Sequence, residues 1–189
     1  AAKVSEQPYI QPQAADFSGK PPVIVGFGPA GMFAALTLAR AGLKPVVLER
    51  GADCDSRIEA IEQFRSSRIL DENNNVQFGE GGAGTFSDGK LTTGIRDPRI
   101  RHVFSTFVEF GAPSEILWLA KPHIGTDMLR IVIKNMRNEI IRLGGTVIFG
   151  AKFTDFTVKN GRISSAVYEH NGEKTEVETK NIILAVGHS

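Results

Sequence analysis

Residues 23–50 read VIVGFGPAGMFAALTLARAGLKPVVLER, and no other stretch limits the fold as tightly. Val23, Ile24 and Val25 form a short β-branched run with no polar alternation, the pattern of a strand buried on both faces. Good helix formers at helical spacing follow over 29–41, and Gly42 supplies a stop. A second apolar strand occupies 45–49. Two strands joined by so short a helix make a right-handed βαβ unit. At its first turn, Gly26-Phe27-Gly28-Pro29-Ala30-Gly31 fits Gly-x-Gly-x-x-Gly. In such a turn Gly26 closes the bend, Gly28 admits a pyrophosphate against the backbone, and Gly31 lets helix and strand pack closely. The N-terminus of the helix, beginning at Pro29 and Ala30, offers N–H groups and a positive dipole end to phosphates. Glu49, followed by Arg50, ends the second strand about 20 residues later, where an acid accepts hydrogen bonds from ribose hydroxyls. The same acid disfavours a 2′-phosphate. The glycines could serve turns alone, but strand, helix, second strand and acid all agree on a dinucleotide.

The rest of the chain sets bounds. At 189 residues it is one domain or most of one. A net charge of +1 with scattered Lys and Arg gives no field for nucleic acid or anionic lipid. The apolar runs are too short to cross a bilayer. The single cysteine, Cys54, allows neither a disulfide framework nor a redox pair; it reads as an incidental thiol in a reducing, cytoplasmic setting. Residues 1–20 read as an extended arm or linker and lack a signal-peptide pattern. At the other end, NIILAVGHS stops straight after an apolar strand, so 21–189 is expected to be an incomplete piece of a larger protein. No metal-ligand spacing and no nucleophile elbow occur.

Between the ends, helices are expected over 56–68, after Asp97-Pro98 to Gly111, and from a cap at Thr126 or Asp127 to Leu143, with Ile58, Ile61 and Phe64 on the inner side of the first. Residues 71–90 read as a glycine-rich loop, 115–119 as a strand, and 146–149 as a strand of the main sheet. Asn160-Gly161 and Asn171-Gly172 are hairpin turns, which makes 151–180 a three-stranded antiparallel meander. Residues 181–186 then return as a core strand. The expected class is α/β: a Rossmann-like domain with a central parallel sheet, helices on both faces and an inserted antiparallel crossover.

The first βαβ unit, the segment FGEGGAGTFSDGKL and the strand IILAVG together resemble the two-dinucleotide-binding-domain flavoproteins of the glutathione-reductase-like kind. VQFGEGGAGTFSDGKLTT and KPHIGTDMLRIVIKNMRNEIIRLGG are similar to a bacterial group of uncharacterised FAD-dependent, or NAD(FAD)-utilising, dehydrogenases. The resemblance covers roughly residues 21–189 and implies FAD as cofactor. It implies that Gly81, Gly82, Gly84 and Thr85 lie against the flavin pyrophosphate, ribityl chain or ring. It implies that the backbone from Ala151 through Lys152 and Phe153 meets the adenine, and that Ala185 and Gly187 border the cofactor. Val186 stands where these proteins usually carry threonine, which removes a hydrogen bond there. Their late Gly-Asp motif and substrate domain do not occur in these residues, so the resemblance implies a reduced hold on FAD and a chain that is inactive alone.

The function expected is an FAD-dependent oxidoreductase that passes two electrons between a small-molecule substrate and the flavin, with reduced nicotinamide, NAD(P)H, as donor. Nucleic acid and membrane are not expected partners. Lys90, just past the glycine loop with Ser87 and Asp88, is the candidate cation for anionic reduced flavin; its alternative is a solvated loop lysine. His123, beside Lys121 and Pro122, is the candidate proton donor or substrate contact; its alternative is a structural histidine. Residues 90–125 are placed on the substrate side, and His188 carries no assignment. Two other readings remain: a flavin-binding module without redox turnover, and a Rossmann enzyme that uses NAD alone.

Overall fold

The computed structural model describes residues 12, 19–86 and 89–187. Most of the expected arm, together with Ser87, Asp88 and His188, lies outside the described residues.

Among the described residues, seven strands and four α-helices follow one another as β1 (Val23–Val25), α1 (Pro29–Arg40), β2 (Val46–Glu49), α2 (Cys54–Ser67), α3 (Arg99–Glu109), α4 (Thr126–Arg142), β3 (Thr146–Phe149), β4 (Ala151–Lys159), β5 (Arg162–His170), β6 (Glu173–Glu178) and β7 (Ile182–Leu184). The first sheet has the order β3-β2-β1-β7 with every neighbouring pair parallel. The second is the antiparallel meander β4-β5-β6. Its two hairpins turn at Asn160-Gly161 and Asn171-Gly172, all four residues with positive φ, as tight hairpin turns of matching twist require.

Strand alternation divides the core. Ile24 and Val47 point to one side and pack with Met32, Ala35 and Leu36 of α1 and with Val132, Met136 and Ile140 of α4. Val23, Val25 and Leu48 point the other way and pack with Ala151, Ala166 and Tyr168 of the meander. β1 is therefore buried on both faces, as its uninterrupted apolar run requires. Helices line one face of the parallel sheet. On the other, the place of a helical layer is taken by the crossover meander, which covers the face formed by Val23, Val25 and Leu48.

Two sequence expectations need correction. Residues 115–119 are not a strand: Ser114–Leu117 is a 3₁₀ turn. Pro113 opens it and accepts from Ile116 N, while Trp118 N and Leu119 N both donate to Glu115 O, so the backbone is satisfied locally. Only Ile116 is buried, and Trp118 is 70% exposed, so the apolar letters there do not mark a sheet face. The return strand joins the parallel sheet beside β1 but forms its edge, with Leu184 65% exposed. Smaller shifts occur at helix starts. Asp53 caps α2 by accepting from Asp55 N and Ser56 N, two residues earlier than the apolar spacing suggests.

Candidate functional site

β1 is followed in chain order by strands added on its β2 side, and β7 then returns on the other side. The order of connection reverses at β1, and crevices in open parallel sheets form at the carboxyl end of such a strand. A cleft of about 720 Å³ lies there. It is walled by Val25, Gly26 and Gly28 from the first turn, Pro29 and Ala30 of α1, and Leu48, Glu49 and Arg50 at the end of β2. Gln77, Phe78, Gly79, Gly82 and Ala83 come from the glycine-rich loop, Ala151, Lys152 and Phe153 from β4, and 184–187 from the end of β7.

The first-turn glycines do different things. Gly26 has φ +97°, and a Cβ there would meet Ala185 O at 2.5 Å. A Cβ on Gly31 would meet Gly26 O at 1.9 Å. Both are required by the protein's own packing. Gly28 has φ −72° and an extended ψ, open to any residue, and its nearest neighbour to an added Cβ is Gly82 Cα at 3.9 Å. Nothing in the protein demands glycine at 28. The space it leaves faces the cleft at the N-terminus of α1, which has no side-chain cap. Pro29 has no N–H, and Met32 N bonds to Gly28 O, so the amides of Ala30 and Gly31 are the first-turn donors without helical acceptors. A cradle kept open by glycine, with two amides and a helix dipole at its floor, fits a pyrophosphate.

Glu49 is 5% exposed. Its Oε2 accepts from Phe27 N at 2.7 Å and its Oε1 from Gly51 N at 2.8 Å. The acid thus ties the phosphate turn to the end of β2, a brace the spacing alone does not reveal. A carboxylate offers about four acceptor positions, so two remain for ribose hydroxyls. Arg50 lays its guanidinium 3.4 Å over the Phe78 ring, so these two side chains form one wall.

The loop behind the cleft is held by a group that sequence reading missed. Arg57, on α2, is wholly buried. Its Nη1 donates to Glu80 O and to Gly82 O, and its Nη2 to Asn75 O and Val76 O. Glu80, also wholly buried, accepts through Oε2 from Cys54 N at 2.8 Å and from Arg137 Nη1 at 2.9 Å. Burial lowers the Arg57 pKa to about 10, still charged at neutral pH, and raises that of Glu80. Burial, with Glu80 alongside, also pushes the Cys54 thiol up to about 12, so it is an inert packing group. A signal did exist: Cys54, Arg57 and Ile61 share the inward face of α2, and a charged residue on such a stripe needs a buried partner.

Other expected site residues sit elsewhere. Gly31 turns its Cα toward Gly26 O and offers the cleft only its first-turn amide. Thr85 is buried within the loop and donates to Glu80 O. Gly81 and Gly84 line a separate cavity of about 120 Å³ with Lys90, Met32, Phe33, Leu91, Phe107, Leu129 and Ile133. Lys90 and His123 are brought together by an antiparallel bridge, flanked by Ile124 N to Gly89 O at 2.9 Å and Leu91 N to Pro122 O at 3.0 Å. Both residues are exposed, and neither lines the large cleft.

Residues 22–60 match the family model described as an FAD binding domain. That segment holds the phosphate turn, α1, β2 and Glu49. The fold and this segment define the class, an FAD-binding, Rossmann-like α/β domain, and the expected choice of FAD over a nicotinamide alone is met. The chain is 54% identical over 168 residues to an uncharacterized protein of Clostridium beijerinckii; the match takes in 89% of this chain and 31% of that protein. The chain thus spans about a third of the relative's length. Among solved structures, the fold is shared with Thermovibrio ammonificans THI4, at TM-score 0.57 and 17% identity over 90% of this chain and 58% of that one. It is shared with the Bacillus halodurans glycerol-3-phosphate dehydrogenase complexed with FAD, at TM-score 0.54 and 14% identity over 89% and 34% of the two chains. No helix among the described residues is long and apolar enough to cross a membrane.

Proposed function

We propose that this chain forms the adenosine-diphosphate-binding part of an FAD-dependent oxidoreductase of the glutathione-reductase-like kind, acting on a small molecule with reduced nicotinamide as donor. The observation that carries the reading is the Gly28 cradle. It is an opening the protein does not need for itself, at the carboxyl end of β1, facing first-turn amides of α1. When bound, FAD supplies the two-electron chemistry. The protein's part is to bind and orient it. Ala30 and Gly31 N–H groups take the pyrophosphate, the remaining acceptor positions of Glu49 take the ribose hydroxyls, and the backbone at Lys152 and Phe153 borders the adenine. Ala185 and Gly187 close the opposite side. Gly81 and Thr85 shape the loop from behind.

A second reading, a flavin-binding module without turnover, draws on one observation. Lys90 and His123, the candidates for electron and proton handling, stand outside the cleft. One experiment separates the two. The full-length protein, loaded with FAD, is mixed anaerobically with NADH while the flavin absorbance is followed. Bleaching and multiple turnover with an added electron acceptor support the oxidoreductase. Stable FAD binding that photoreduction bleaches but no nicotinamide donor does supports the module. Absence of any bound flavin overturns both.

A further inference from the structure

Arg57 does not itself line the cleft, yet every carbonyl it holds belongs to the loop that forms one wall. Its acceptors are Asn75, Val76, Glu80 and Gly82, which bracket the lining residues Gln77, Phe78 and Gly79 and adjoin Ala83. Four carbonyl oxygens are thereby turned toward a buried cation. Carbonyl oxygens carry partial negative charge, and any that faced the cleft would repel a diphosphate. A trans peptide puts N–H opposite C=O, so drawing Gly82 O toward Arg57 aims the Ala83 N–H the other way.

The surroundings fit this group to this place. Gly79 has φ +112°, and a Cβ there would lie 2.4 Å from Arg57 Cδ. A Cβ on Gly51 would lie 2.5 Å from Gly79. The end of β2, the loop and the Arg57 stem therefore stack with no room for a methyl group. The backbone adds Glu80 N to Ala52 O and Gly81 N to Phe27 O, both at 2.9 Å, so the loop is sewn to the phosphate turn itself. Glu80 anchors the lower side through Cys54 N and Arg137. A guanidinium is the one side chain with enough donors in a rigid plane to hold four carbonyls.

We infer that Arg57 is a positioning residue for FAD: with Glu80 it latches the 75–83 loop into its binding shape before the cofactor arrives and keeps the loop carbonyls away from the pyrophosphate. The inference rests on the FAD reading above. In the protein without FAD, the latch makes the amides of Glu80, Gly81 and Gly82 exchange with solvent as slowly as those of α1. Arg57→Lys keeps the charge but has one donor head, and Arg57→Gln keeps a planar donor pair without charge. Each is expected to weaken FAD binding at least tenfold, to speed exchange at 80–82 at least tenfold, and to leave exchange in α1 and β1 unchanged.

Fast exchange at 80–82 in the wild type that slows only with FAD overturns the latch, and this measurement needs no variant. Wild-type FAD affinity in Arg57→Lys also overturns it, since charge alone would then suffice. So does exchange that rises equally throughout the protein, which marks Arg57 as merely structural. If the wild type binds no FAD, the parent reading falls and the inference with it. If the wild type binds FAD and the variants bind it equally well, only the inference falls.

Discussion

At the scale of single residues, the phosphate turn shows how one motif mixes duties that a sequence pattern cannot separate. Gly26 and Gly31 answer to the protein's own atoms, and Gly28 answers to space in the cleft. Glu49 does more in the fold than its spacing indicates. The spacing marks it as a ribose ligand, while burial and the bonds from Phe27 N and Gly51 N make it a brace for the turn as well. Replacing it by alanine leaves two buried donors without acceptors, at about 1–3 kcal/mol each. Glu49→Ala is therefore expected to lose roughly 2–6 kcal/mol of folding stability as well as FAD affinity. Urea unfolding of the protein without FAD measures the first effect directly. Unchanged stability would mean that water replaces the carboxylate and that Glu49 serves the ligand alone.

At the scale of elements, legibility follows how local the determining physics is. The βαβ unit and the two Asn-Gly hairpins could be read because a strand's apolar run, a helix's spacing and a tight turn's positive φ are decided within a few residues. The 3₁₀ turn at Ser114–Leu117 was misread because its apolar letters mimic a strand, whereas Pro113 and the carbonyl of Glu115 settle its backbone. Arg57 was missed because its reason lies some twenty residues away in the chain, in loop carbonyls whose direction no spacing rule gives. The place of β4 and β7 in the cleft wall came only from resemblance to a family, since nothing local distinguishes Lys152 or Ala185 from ordinary strand ends. The hairpins give a test at this scale. Gly172 has φ +79° with nothing within 4 Å of an added Cβ, so Gly172→Ala meets conformational cost without a clash. It is expected to lower stability by about 1 kcal/mol while FAD affinity stays at the wild-type value, because the turn does not line the cleft. A much larger loss would show that the β5-β6 turn carries a contact beyond its own geometry.

At the scale of the whole molecule, the cleft exists because two sheets and a helical layer meet at one strand. β1 is covered by α1 and α4 on one face and by the meander on the other, and its carboxyl end opens where the strand order reverses. Parts from β1, α1, β2, the glycine loop, β4 and β7 all wall the same space, so a ligand there adds contacts to six elements at once. A ligand that binds the folded state alone stabilises it by RT ln(1 + [L]/Kd), about 2.7 kcal/mol at a hundredfold excess over Kd. For a chain of this size that corresponds to a rise in melting temperature of about 5–10 °C. Gly28→Val separates the cleft from the fold. Its backbone conformation accepts valine, and the poorer helix N-cap costs about 1 kcal/mol, so the protein without FAD is expected to melt only about 2–4 °C lower. With FAD added, the wild type should climb by the full increment and the variant not at all, because the new methyl groups occupy the pyrophosphate cradle. A variant that still climbs would place the diphosphate elsewhere in the cleft, and a variant that fails to fold would show that Gly28 is demanded by the protein after all.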